Sequence, residues 1–132
     1  MRSQSIEMNA RSDWNAALEA RGALRYREPM SRHSSWRCGG VADRYFEPAD
    51  VMDLIGFLSI ILESEPILWL GLGSNLLMRD GGLRGTVIAT TPGLGRLRWL
   101  DANRLYAECG VTCARLARAA AAKNLAGIEF LA

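Results

Sequence analysis

With 132 residues the chain has the length of a single domain and enough material to bury a hydrophobic core. Hydrophobic residues make up 49% of it and charged residues 23%, which excludes the disordered class. Sixteen Lys and Arg against fourteen Asp and Glu leave a formal charge of +2 scattered along the chain, not the concentrated basic face of a nucleic-acid binder.

The first residues, Met1 to Asn9, contain no apolar run of the kind a secretory signal needs. Residues 1–20 mix polar and small side chains around one short helical pattern, Trp14, Ala17 and Leu18, and read as an N-terminal extension to a domain spanning 21–132. From Leu24 to Arg37 no period is sustained, Pro29 breaks any helix, and Ser31, Ser34 and Ser35 suit a loop. Gly39-Gly40 then leads into a strand from Val41 to Phe46 that stops at Pro48.

Asp50 is placed to cap a helix, with Asp53 in the capping-box position. Val51, Leu54, Ile55, Leu58 and Leu62 form one apolar face of that helix, which runs to about residue 64, before Pro66. Its most apolar window, Leu54 to Leu62, is far too short for the roughly 30 Å of a bilayer core. Ile67 to Leu70 is a continuous apolar run, the pattern of a strand buried on both faces. Strand, helix and strand make a βαβ unit with parallel strands, and a glycine-rich loop follows at the carboxyl end of the second strand, where open α/β sheets bind ligands.

Thr86 to Ala89 reads as a third strand, and Arg96–Leu100 and Arg104–Glu108 as a hairpin around Asp101-Ala102-Asn103. Thr112 caps a second helix with Cys113, Leu116, Ala117 and Ala120 on one face, and Asn124 suits its left-handed C-terminal cap. The chain stops inside the apolar segment Gly127 to Ala132, which suggests the first part of a larger unit. Three cysteines (Cys38, Cys109, Cys113) are an odd count suited to reduced thiols in the cytoplasm. Cys109 and Cys113, with His33 as the single histidine, fall short of a zinc site, so no metal is expected.

The chemistry concentrates in Gly71-Leu72-Gly73-Ser74-Asn75-Leu76. Two glycines allow successive N–H groups to converge on an anion, Ser74 and Asn75 add donors, and no carboxylate lies within the loop to repel a phosphate. A Walker A loop is excluded because no lysine is near, and a G-x-G-x-x-G fingerprint fails at Leu76. Gly93-Leu94-Gly95 shares that defect. Taken alone, the loop fits either a phosphate cradle or a tight turn leaving a strand.

Three motifs in order resemble those of the UDP-N-acetylenolpyruvoylglucosamine reductase family. They are the entry segment Glu28-Pro29-Met30-Ser31-Arg32-His33-Ser34-Ser35-Trp36-Arg37-Cys38-Gly39-Gly40-Val41-Ala42-Asp43, the loop Gly71 to Leu77 with Asp80-Gly81-Gly82 and Gly85 to Ile88, and Gly127 to Ala132. Ser35 stands where the family often has Thr, Cys38 where an aliphatic is common and Val41 where Pro is frequent. The resemblance implies an α+β fold of the vanillyl-alcohol-oxidase type: a small parallel βαβ subdomain, then the start of an antiparallel one, with FAD between them. It implies that Gly71, Leu72, Gly73, Ser74, Asn75 and Leu76 hold the FAD pyrophosphate. It also implies an oxidoreductase that uses NADPH to convert the enolpyruvyl ether of UDP-N-acetylglucosamine to UDP-N-acetylmuramate, for peptidoglycan precursors. The family's catalytic serine, arginine and glutamate match positions beyond Ala132, so no catalytic residue is expected in this chain, which alone is expected to be inactive and to retain FAD weakly or not at all. Trp36 is expected to pack, Arg37 to brace Gly39-Gly40, and Glu129 to form hydrogen bonds. A stand-alone nucleotide- or phosphate-binding module without redox chemistry is the alternative.

Overall fold

A computed structural model describes residues 21–131; the expected N-terminal extension lies outside them. Its core is a four-stranded sheet of β1 (Ala23–Pro29), β2 (Val41–Glu47), β3 (Ile67–Leu70) and β4 (Leu83–Ala89), in the spatial order β1-β2-β4-β3. β1 runs antiparallel to β2, whereas β2 and β3 both lie parallel to β4. The expected βαβ unit is present, but β4 is inserted between its two strands.

β1 corrects the loop expected from Leu24 onward. Alternation is hidden in Ala-Leu-Arg-Tyr-Arg-Glu-Pro because the strand lies at a sheet edge and only Glu28 in it is buried. Pro29 is tolerated at its last position, next to a short 3₁₀ turn, Met30–Arg32. β3 also departs from expectation: as the opposite edge strand it buries Leu70 and leaves Ile67 and Trp69 exposed. β4 begins three residues earlier than Thr86.

The sheet carries a bulge. Ala42 pairs with Leu83 but Arg44 with Thr86, so β4 gains one residue against β2. β2 keeps one register against β1, and its Ala42 and Tyr45 join Met30, Leu70, Met78, Val87 and Ala89 in one core cluster. On the opposite face Phe46 and Ile88 receive the helix α1 (Val51–Ile60) through Phe57, whose ring stacks 4.0 Å from that of Phe46. The helix ends four residues before the expected boundary, and its buried line is Asp53 and Phe57, with Leu54 and Leu58 half-buried. Val51, Ile55 and Leu62, expected on the apolar face, are exposed.

Asp50 caps α1 as expected, accepting from the Asp53 N–H at 2.9 Å. Its carboxyl is held below the usual carboxylate range, first by that N–H and then by Arg21. Asp53 does not complete a capping box. Its carboxylate accepts from the N–H groups of Ala49, Gly22 and Arg21, which ties the start of β1 to the start of α1.

The hairpin expected over 96–108 forms as β5 (Leu97–Trp99) and β6 (Leu105–Ala107), a separate two-stranded antiparallel sheet. Asp101 closes its turn by accepting from the N–H groups of Asn103 and Arg104. Thr112 caps helix α2 (Cys113–Ala121), and Asn124 takes the left-handed conformation with φ 55°. Ala120 is buried and Leu116 and Ala117 are half-buried, but Cys113 is exposed, so the expected face is one position shorter. No helix among the described residues is long and apolar enough to cross a membrane.

Candidate functional site

β3 delivers the chain into the glycine loop at the carboxyl end of the sheet, and the last strand residue is fixed there by Thr90, whose N–H donates to the Leu70 carbonyl at 2.8 Å. Beyond that point the loop is held from one side only. The Ser35 N–H donates to the Gly73 carbonyl at 3.1 Å, and the Ser34 hydroxyl donates to the Leu76 carbonyl at 3.1 Å. These two bonds bracket Ser74 and Asn75, which are left exposed together with Gly71 and Leu72. Gly73 is buried and Leu76 half-buried.

Gly73 has a specific reason to be glycine. Its φ is +70°, and a Cβ there would overlap the His33 carbonyl oxygen. The missing side chain therefore makes room for the 33–35 backbone beneath the loop. At Gly71, by contrast, a Cβ would meet nothing within 4 Å, so the open side is the one a ligand can approach.

The entry motif and the glycine loop, separate in sequence, are thus two walls of one site. A cleft of about 600 Å³ runs between them, lined by Arg32, His33, Ser34, Ser35, Arg37, Tyr45, Glu47, Leu70, Gly71, Leu72 and Thr91. That volume is in the range of small-molecule sites. A second hollow of about 290 Å³ lies along Trp69 to Leu76 and includes Gly73, Ser74 and Asn75. The six loop residues singled out by the sequence therefore sit together. Arg32, His33 and Arg37 were legible only as members of the entry motif, where the density of polar donors in Arg32-His33-Ser34-Ser35 was the available signal; Tyr45 and Thr91 lie outside the motifs and carried none.

The cleft favours an anion. Arg32 and Arg37 supply guanidinium charge at its rim, Ser35 and Thr91 supply hydroxyls, and the wall carboxylate Glu47 is already paired with Arg25 at 2.9 Å. Arg37 has φ 51° and is exposed, facing this cleft and not bracing Gly39-Gly40. Gly40 instead packs backbone to backbone on Asp80 and Gly82, with its N–H donating to the Arg79 carbonyl at 3.0 Å. Trp36, expected to pack, is 68% exposed. Glu129 hydrogen-bonds as expected, accepting from the Gly127 N–H at 2.8 Å, and backbone N–H groups, its own first, hold its carboxyl below the usual range.

Behind the cleft Tyr45 is 2% exposed, and burial foremost, with the Glu47 charge next, pushes its phenol up to about 12. A phenol raised in the folded state contributes stability that is complete below the unfolded value near pH 10. That contribution is lost as the pH rises toward 12. Near-ultraviolet absorbance in an alkaline titration should show phenolate appearing late, and Tyr45→Phe should reduce that late component. An unaltered titration curve in the variant would reject this assignment. Among the described residues no cluster of three or more His, Cys, Asp or Glu could hold a metal ion.

A family model described as an FAD binding domain matches residues 42–132. The chain is similar to the UDP-N-acetylenolpyruvoylglucosamine reductase of Alkalilimnicola ehrlichii, at 53% identity over 111 residues, which is 84% of this chain and 37% of that protein. The enzyme of the same name from Nitrosococcus oceani is 50% identical over 117 residues, covering 89% of this chain and 39% of its own length. That of Methylococcus capsulatus is 47% identical over 119 residues, 88% of this chain and 38% of its own. The chain spans about two-fifths of the length of the curated relatives it matches.

Proposed function

The chain belongs to the UDP-N-acetylenolpyruvoylglucosamine reductase family, with an FAD binding domain over residues 42–132, and from that premise we propose that it is the FAD-binding portion of the NADPH-dependent reductase that makes UDP-N-acetylmuramate for peptidoglycan precursors. The observation that carries the reading is the loop pinned from beneath through the Gly73 and Leu76 carbonyls, with Ser74 and Asn75 left outward.

The residues present fit a dinucleotide diphosphate. The space over Gly71 is open, the outward hydroxyl and amide of Ser74 and Asn75 are donors, and the guanidinium groups of Arg32 and Arg37 lie across the cleft. In this assignment Gly71, Leu72, Gly73, Ser74, Asn75 and Leu76 hold the pyrophosphate. Bound FAD supplies hydride exchange between NADPH and the enolpyruvyl double bond of the UDP-sugar. The chain's own share is binding and orientation: a fixed array of donors that does not reorganise when the anion arrives.

The sheet of β1 to β4 with α1 then forms the first subdomain and the β5–β6 hairpin begins the second, the cofactor lying between them. The three free thiols, Cys38, Cys109 and Cys113, support a reducing, cytoplasmic setting.

Titrating FAD into the isotope-labelled chain while following its backbone amide resonances tests the assignment and detects weak as well as tight binding. Shifts centred on Gly71 to Leu76 are the expected result; shifts confined elsewhere would sink it. Replacing both Ser74 and Asn75 by Ala should leave the melting temperature unchanged, because both side chains are exposed. The same variant should bind FAD more than about tenfold more weakly, since a hydrogen bond to a charged group contributes about 1.5–3 kcal/mol.

A further inference from the structure

His33 is the chain's single histidine, and its ring is enclosed by two polar groups on different strands. The Tyr45 hydroxyl on β2 lies 3.0 Å from Nδ1, and the Glu28 carboxylate on β1 lies 2.9 Å from Nε2. The imidazole also stacks on the Tyr45 ring, with centroids 4.1 Å apart. The Tyr45 hydroxyl and the Glu28 carboxylate thus each hydrogen-bond one ring nitrogen. Both ring nitrogens are thereby committed.

The His33 main chain stands under the glycine loop. Its carbonyl oxygen occupies the space where a Gly73 Cβ would be, and the next two residues make the bonds to the Gly73 and Leu76 carbonyls. The Ser34 hydroxyl also accepts from the Trp36 N–H at 3.2 Å, so the segment turns tightly on itself directly after His33. A backbone held this way needs an anchor to the sheet, and the His33 N–H to Met30 carbonyl bond at 3.0 Å ties it only to the adjoining 3₁₀ turn. The side chain is what reaches β1 and β2.

We propose that His33 is a positioning residue for the glycine loop: held between Tyr45 and Glu28, it fixes the 33–35 backbone against which Gly73 and Leu76 are pinned, and so sets the direction in which Ser74 and Asn75 face the ligand. The proposal rests on the reading of that loop as the FAD pyrophosphate site, but its structural half stands apart from the ligand.

The test compares His33→Ala, Tyr45→Phe and Glu28→Gln in the chain, with Asp50→Ala as a control that weakens the α1 cap away from the site. Two quantities are read: hydrogen exchange at the Ser35 amide, which is bonded to the Gly73 carbonyl, and FAD affinity from the amide titration. His33→Ala should speed Ser35 exchange and weaken FAD at least about tenfold. Tyr45→Phe keeps the ring stack but removes the hydroxyl bonded to Nδ1, and should move both readouts in the same direction. Glu28→Gln keeps an acceptor beside Nε2 and should leave Ser35 exchange within about twofold of the parent. Should His33→Ala not fold, Tyr45→Phe against Glu28→Gln decides. The proposal is overturned if the two disrupting variants leave Ser35 exchange within twofold of the parent, or if the Asp50→Ala control weakens FAD as much as they do. FAD-dependent shifts confined away from Gly71 to Leu76 in the parent would overturn the FAD reading instead, while the exchange data would still decide the brace.

Discussion

Gly73→Val is expected to lose FAD binding and to unfold at about 4 kcal/mol lower stability. A φ of +70° costs a non-glycine residue about 1–3 kcal/mol and a β-branched one more. The rest comes from the overlap of the new Cβ with the His33 carbonyl oxygen, which is main chain and cannot rotate away. Relief requires the loop to lift from residues 33–35, breaking the Ser35–Gly73 and Ser34–Leu76 bonds together. Gly71→Ala is the matched control: its Cβ meets nothing within 4 Å, so urea unfolding should place it within about 0.5 kcal/mol of the parent. A Gly73→Val protein with parental stability and parental FAD shifts would refute both the clamp and the site.

The second large effect is at Asp53. Its side chain is 7% exposed and accepts three main-chain N–H groups: Ala49 and Gly22 at 2.8 Å each, and Arg21 at 3.1 Å. Truncation to Ala leaves three donors without an acceptor at a junction of β1, β2 and α1. An orphaned buried donor costs about 1–3 kcal/mol, and the exposure of Arg21 and Ala49 softens two of the three, so Asp53→Ala should cost about 2 kcal/mol or more. Asp53→Asn should recover little, because its amide turns one acceptor into a donor facing N–H groups. Chemical denaturation of the two variants beside Asp50→Ala separates this effect from loss of the helix cap, which by itself costs about 1 kcal/mol. If Asp53→Ala were no worse than Asp50→Ala, the junction would not be a keystone of the fold.

The two sites differ in how far they could be read from residues alone. Gly71 to Leu76 announced itself because glycines, a hydroxyl and an amide directly after an apolar run are a local pattern. The reason for Gly73 was not local. Its neighbour is His33, forty positions earlier, and the empty space at Gly73 is filled by backbone from the entry motif. Asp53 likewise carried a sequence signal for one role, the capping box, and performs another, because the acceptors' partners at residues 21 and 22 arrive through β1, a strand whose edge position erases its alternation. The helix α1 shows the same limit from the other side. Its residues are apolar on several faces, so periodicity could not say that Phe57 points inward while Ile55 stays exposed; the stack on Phe46 decides that.

The sequence by itself determined the order of β2, α1, β3, the glycine loop, the β5–β6 hairpin and α2, the caps at Asp50, Thr112 and Asn124, and the family to which the chain belongs. These rest on local periodicity, on hydrogen bonds between near neighbours and on contiguous motifs. Only the tertiary structure decided that β4 lies between β2 and β3, that β1 closes one edge, and that the entry motif forms the floor of the glycine loop. Those outcomes depend on the approach of backbones and buried polar groups far apart in the chain, and one-dimensional patterns of hydrophobicity carry no term for such encounters.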